Sequence, residues 1–164
     1  IMPSFDIENT IDIQEIDNAV NTVKRDIATR YDFKGTESTI ELNKTDLKIK
    51  IQTDTEYKLQ AIIDMLENRS ISRKISVKTY KYNSIEKASG NSVRQNVDLQ
   101  SGISKETCKK INAFIKTLKL KVNSQIIGDK LRVSAKKIDD LQNIIQMVKE
   151  QNFEIPLQFV NMKK

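Results

Sequence analysis

The sequence predicts an α+β fold made of two ferredoxin-like domains in tandem. Each is a β-α-β-β-α-β run forming a four-stranded antiparallel sheet with two helices on one face. Three observations lead there. First, TIELNKTDLKIKIQTDTEYKLQAIIDMLEN (39–68) lines up with NSQIIGDKLRVSAKKIDDLQNIIQMVKEQN (123–152), an internal repeat of one supersecondary unit. Second, both copies alternate apolar and polar residues with period two. Leu47, Ile49 and Ile51 interleave with Lys48, Lys50 and Gln52, as Leu131, Val133 and Ala135 do with Arg132, Ser134 and Lys136. That period describes a sheet covered on one side. Third, each copy ends in a helical stripe, Leu59, Ile62, Ile63, Leu66 and then Leu141, Ile144, Ile145, Val148.

Along the chain, SFDI supplies a first strand within 4–8. A helix comes next, with Ile13, Ile16, Val20, Val23, Ile27 and Tyr31 on its apolar face. On that phase Tyr31 packs over the last helical turn. Asn43-Lys44-Thr45-Asp46 makes the hairpin turn of the first copy, and ISVKTY its last strand. The Ser-, Asn- and Gly-rich stretch 83–92 reads as a linker, so the domains are expected at 2–82 and 93–163. The short strand 4–8 could join either sheet. In the second half SVRQNVDL is the first strand and Ser104 the N-cap of a helix carrying Ile111, Phe114, Ile115 and Leu118. Gly128-Asp129 is the hairpin turn, Asp139 or Asp140 suits the start of the last helix, and PLQFVNM closes the half.

Composition narrows the chemistry. With 38% hydrophobic residues, 30% charged, 5% aromatic and no Trp, the core must be built from Ile, Leu and Val. The absence of histidine removes His-based acid–base catalysis, a Ser-His-Asp triad and His-ligated metal. No catalytic residue, metal site or cofactor is expected. Cys108, the lone cysteine, falls in line with Ile111, Ile115 and Leu118 and reads as a buried structural thiol. No apolar run reaches a membrane span. No signal peptide is expected before Met2, Ile1 being read as an addition to the native start, and a cytoplasmic, reducing location is expected.

Charge points to a partner. Residues 1–68 hold 8 Lys and Arg against 14 Asp and Glu, whereas 69–164 hold 20 against 8. Such asymmetry suggests a polyanionic ligand for the basic half. Its outward strand positions, Arg94, Asn96, Asp98, Lys121, Asn123, Gln125, Arg132, Ser134 and Lys136, carry cations and amides and no aromatic ring. Base stacking of the RNA-recognition type is therefore not expected there, and hydrogen bonding to phosphates and base edges is. Lys136-Lys137 lies where a strand gives way to a helix whose free N–H groups could help hold a phosphate. The candidate nucleotide-binding residues on this side are Arg94, Lys121, Gln125, Arg132, Lys136 and Lys137. A second candidate is the corner Arg30-Tyr31-Asp32-Phe33-Lys34-Gly35. Helix termination explains Arg30, Tyr31, Phe33 and Gly35; Asp32 and Lys34 are unexplained, and with Arg30 they could border a ligand groove.

MPSFDI at the start, TRYDFKG after the first helix and LKVNSQIIGDKLRVSAKKIDDLQ at 120–142 make the chain resemble the YajQ family of bacterial cytoplasmic nucleotide-binding proteins, from Met2 to about Asn161. The resemblance implies a pair of ferredoxin-like domains. It also implies binding of a nucleotide or of RNA such as tRNA, and for some members a role as effectors of cyclic di-GMP. Two positions depart from the family pattern: Leu99-Gln100-Ser101-Gly102-Ile103 where Leu-Lys-Gln-Gly-Ile is usual, and Ser134-Ala135 where Thr-Gly precedes the lysine pair. The expected function is non-enzymatic binding of a nucleotide, cyclic dinucleotide or RNA, with a protein partner downstream and no membrane. The alternatives are a protein-interaction adaptor without nucleotide and a carboxylate- or lysine-based nucleotide hydrolase.

Overall fold

The structure is a computed structural model describing residues 2–164. In chain order its elements are β1 (Ser4–Glu8), α1 (Ile13–Thr29), β2 (Thr39–Asn43), β3 (Lys48–Thr53), α2 (Glu56–Ser72), β4 (Tyr80–Tyr82) and β5 (Glu86–Lys87). Beyond these lie β6 (Val93–Leu99), α3 (Lys105–Thr117), β7 (Val122–Ile127), β8 (Lys130–Ala135), α4 (Ile138–Gln151) and β9 (Gln158–Lys163). They form two compact units. A central unit comprises Ile11–Gln100, and a terminal unit joins the residues up to Thr10 with Ser101–Lys164.

Each unit has a ferredoxin-like sheet of antiparallel strands. The terminal sheet runs β7-β8-β1-β9 and the central one β2-β3-β6-β4, with β5 also on β6. Relative to two contiguous halves, the first strands have changed places. β1 lies between β8 and β9, and β6 lies between β3 and β4. The units are therefore not 2–82 and 93–163, and 83–92 does not link them, since β5 lies within that stretch and pairs with β6. Alternation dictates which side chains point inward but leaves the pairing partner open. Cross-strand charges supply part of the choice: Asp6 stands opposite Arg132, and Lys48 opposite Asp98.

Both cores match the predicted stripes. In the central unit Ile16, Val20 and Val23 of α1 and Leu59, Ile62 and Leu66 of α2 pack on Ile40, Ile49, Ile51 and Val97. In the terminal unit Cys108, Ile111 and Ile115 of α3 and Leu141, Ile144 and Val148 of α4 pack on Phe5, Ile7, Leu131 and Val133. Each such side chain contributes roughly 1.5–3 kcal/mol by leaving water. Asp12, Thr55 and Ser104 cap α1, α2 and α3 through their side chains.

Two junctions fix the ends of elements. Gly102 donates its N–H to Asn9 O (2.6 Å), and Asn9 Nδ2 donates to Gly102 O (3.1 Å). Ile103 N–H reaches Asp129 O (3.0 Å), so the end of β1, the start of α3 and the β7–β8 turn are tied together. Gly102 has φ +75, and an added Cβ would lie 2.8 Å from an Asp129 carboxylate oxygen. The second junction is the corner after α1. The helix ends at Thr29 because Arg30 is extended (φ −77, ψ 132), and Tyr31–Phe33 makes one 3₁₀ turn. The break shifts the phase: Phe33 is buried, while Tyr31 is 87% exposed and does not cover the last helical turn. A hydroxyl relay anchors the segment leading into β2. Thr36 Oγ1 donates to Phe33 O (2.7 Å) and meets Ser38 Oγ (2.8 Å), which meets Thr53 Oγ1 (2.7 Å).

Candidate functional site

The helix-free face of the terminal sheet holds two of the expected binding residues, Gln125 and Arg132, and Lys121, Lys136 and Lys137 flank the same strands. Its middle row reads Gln125, Arg132, Asp6, Val160 across β7, β8, β1 and β9, and the next row places Asn123 beside Ser134 beside Ser4. Asp6 is the residue that sequence reasoning did not place here. It is 2% exposed although it faces away from the core, because its partners close over it. Arg132 donates Nε to Oδ1 (2.9 Å) and Nη2 to Oδ2 (3.4 Å). Asn161 Nδ2 donates to Oδ2 (3.1 Å), and Lys130 Nζ lies 3.6 Å away. The Arg132 hydrogen bond holds the Asp6 carboxyl below the usual carboxylate range, against the opposing effect of burial. The carboxylate in turn fixes the plane of the Arg132 guanidinium, which stands on β8 opposite Gln125 of β7. Asn161 reaches Asp6 because it sits at a register shift in β9 with φ +56.

Lys121 leads into β7, and Lys136 and Lys137 lead from β8 to α4. All three are exposed, and among the described residues none forms an ion pair. Lys137 occupies the N-cap of α4 with no side-chain cap hydrogen bond, and Asp139 and Asp140 sit in the first turn. Those carboxylates already complement the helix dipole, so the N–H groups there are less inviting to a phosphate than the sequence suggests. Arg94 is not part of this surface. It lies on β6 in the central sheet, opposite Gln52, and pairs with Glu86 at 2.9 Å. Asn96 and Asp98, on the same strand, lie in the central sheet with it.

The corner residues belong to the central unit. Arg30 donates Nε and Nη2 to the two oxygens of Asp32 (3.0 and 2.7 Å), and its guanidinium lies 5.4 Å from the Phe33 ring centroid. This pair, through the Arg30 hydrogen bond, holds the Asp32 carboxyl below its usual range. Asp32, unexplained by sequence, is thus the brace that orients Arg30, whereas Lys34 is exposed with no ion pair among the described residues. Arg30 also lines a groove of about 360 Å³ with Asp26, Met65, Asn68, Arg69 and Ser72. There Arg69 is braced in the same way by Asp26 (2.9 and 3.0 Å). Arg69 was not foreseen, because its brace lies 43 residues away in sequence.

Cys108 is buried, and desolvation pushes its thiol up, away from thiolate character. Among the described residues no group of three His, Cys, Asp or Glu side chains could hold a metal ion, and no helix is long and apolar enough to cross a membrane.

Two ferredoxin-like sheets, one with a helix-free face of oriented cation, amides and hydroxyls, define the protein as an α+β pair of ferredoxin-like units. The particular family emerges from comparison with known proteins. A family model described as nucleotide-binding protein YajQ-like matches residues 3–163. A protein of Geotalea daltonii named nucleotide-binding protein is 50% identical over 163 residues, covering 99% of this chain and 100% of the relative. One of the same name from Geotalea uraniireducens is 51% identical with the same coverage, and one from Nitratidesulfovibrio vulgaris is 46% identical over 162 residues, 99% of each chain. The chain belongs to the YajQ-like family of nucleotide-binding proteins.

Proposed function

We propose that the protein binds a nucleotide without turning it over, on the helix-free face of the terminal sheet. Arg132, oriented by buried Asp6, carries this reading. A guanidinium held in one orientation by a carboxylate is prepared for contact with a phosphate or a base edge, and less side-chain entropy remains to be lost. Gln125 supplies an amide directly beside it, while Lys121, Lys136 and Lys137 supply charge for phosphates. Mononucleotides, cyclic di-GMP and RNA, tRNA included, all satisfy this chemistry, and the cyclic dinucleotide and tRNA derive from the family resemblance alone.

Calorimetric titration with ATP, GTP, cyclic di-GMP and tRNA tests the reading. At least one should bind saturably and be recovered intact. Arg132→Gln alone leaves Asp6 without its main partner, so the informative variant is Asp6→Asn with Arg132→Gln, which removes the guanidinium without changing the net charge. Undiminished binding by that folded variant would remove the terminal sheet from the proposal. The second location to examine is the α1–α2 groove, favoured by its two braced arginines, where Arg30→Gln with Asp32→Asn is the matching variant.

A further inference from the structure

Strand β7 is an edge of its sheet and lacks the devices that usually guard one. The other edges are protected. β2 carries Glu41, ion-paired to Lys24; β4 is three residues long; β9 has a register shift and ends in Lys163. By contrast β7 is six residues, Val-Asn-Ser-Gln-Ile-Ile, with no charge, no proline and unbroken register on β8. Half of its backbone N–H and C=O groups point away from β8, and Ile126 is 38% exposed.

Beside this edge stands a row of lysines. Ser124 Oγ of β7 donates to Asn112 Oδ1 of α3, so that flank of α3 lies over β7. At 100° per residue, positions 105, 109, 112 and 116 share one flank. Phe114, on the opposite flank, meets Phe153 beyond α4 at 5.9 Å between ring centroids. Lys105, Lys109 and Lys116 therefore overhang the free edge. All are exposed, and none forms an ion pair among the described residues.

We propose that the β7 edge and this flank of α3 form a docking cleft for an extended acidic segment of another protein. The segment adds to β7 as a further strand and sets carboxylates against Lys105, Lys109 and Lys116. The spacings agree: four helical residues rise about 6 Å and two strand residues about 6.8 Å, so acids at alternate positions meet lysines one turn apart. A second copy of the chain is disfavoured, because it brings another basic unit to the same edge. Nucleic acid can meet the lysines, but it cannot satisfy the backbone ladder.

The test titrates isotope-labelled full-length protein with an acetylated, amidated octapeptide of alternating threonine and glutamate. Amides of 122–127 and of α3 should shift saturably, and Lys109→Glu with Lys116→Glu should weaken binding by about tenfold or more. Two further peptides carry N-methyl groups on alternate residues, one series on each strand edge. The series methylated on the pairing edge should lose binding, and the other should bind as the parent does. Equal binding by both would reduce the effect to charge alone and overturn the proposal. It would also fall if an octauridylate shifted the β7 edge amides as strongly, if the charge-reversed variant, checked for folding by circular dichroism, bound the parent equally, or if the parent peptide shifted neither element.

Discussion

The two units are built on one plan but treat charge in opposite ways. The central unit holds 15 Lys and Arg against 14 Asp and Glu, and ion pairs such as Arg69–Asp26, Arg73–Glu15 and Arg94–Glu86 lie within it. The terminal unit holds 13 against 8, a net of +5, and among the described residues its ion pairs converge on Asp6. The asymmetry between residues 1–68 and 69–164 is therefore mostly an effect of where the chain is cut. Arg69, Arg73 and Arg94 answer acids of their own unit. What survives is a smaller surplus on the terminal unit, whose exposed Lys121, Lys136 and Lys137 form no ion pair among the described residues. A unit that neutralises itself uses charge locally; one that does not presents a field to a partner.

The strongest way to break the comparison is to break each core. Ile49→Asp and Val133→Asp place a carboxylate at fully buried positions, at a cost of several kcal/mol. Each should abolish the dispersed amide signals of its own unit, whereas Lys50→Asp, one position along, should leave the fold intact by circular dichroism.

Next in size is the Asp6 cluster. Asp6→Asn should destabilise the terminal unit by about 1.5–3 kcal/mol, the worth of a hydrogen bond to a charged group, read from denaturant midpoints. Because the folded carboxyl titrates below its unfolded value, its contribution is fully present above roughly pH 4–5. It is lost as the pH falls through the folded value. Wild type and Asp6→Asn should therefore converge in stability in strong acid and differ at neutrality; a constant gap across pH would mean that the pair is not electrostatic.

Smaller still is the salt response. Neutralising about four phosphates of a single-stranded RNA by Lys121, Arg132, Lys136 and Lys137 gives a log–log slope near −3. Changing Lys136 and Lys137 to Gln should flatten it by about 1–1.5. The same exchange at Lys48 and Lys50, on the central sheet, should leave the slope unchanged, and an equal change would erase the distinction between the units. The smallest effect belongs to the central unit's surface pairs. Lys24→Ala, which removes the bridge to Glu41, should alter stability by about 0–1 kcal/mol.

Elements and their inward faces were legible because periodicity is local: the stripes of α1 through α4 and the alternation of β3 and β8 appear in the cores as read. Partnership was not, because β1 and β6 carry equivalent alternation and either satisfies either sheet's hydrophobic needs. The acids of β1 and the cation of β6 held a clue, since Asp6 complements Arg132 and Lys130, but such a clue has meaning only once the strands are adjacent. Arg94 was misassigned for that reason. Tyr31 failed differently: the stripe continued on paper, but Arg30 left the helical region one residue earlier. Lys121, Gln125, Arg132, Lys136 and Lys137 stayed on one unit because β7, β8 and the start of α4 are consecutive in sequence, which is the case that local reading handles best.

The exchange of first strands also sets an order of assembly. Every strand of the central sheet has been synthesised once Leu99 is made, and its most distant pairing, Lys48 with Asp98, spans 50 residues. The terminal sheet must wait for β9, and its Asp6–Arg132 contact closes a loop of 126 residues. Loop closure over that separation is slow compared with hairpin formation. On a ribosome delivering about 5–20 residues per second, β1 spends several seconds as an unpaired strand while the central unit completes itself. The five residues of β1, made before every other strand described, are among the last to find their neighbours.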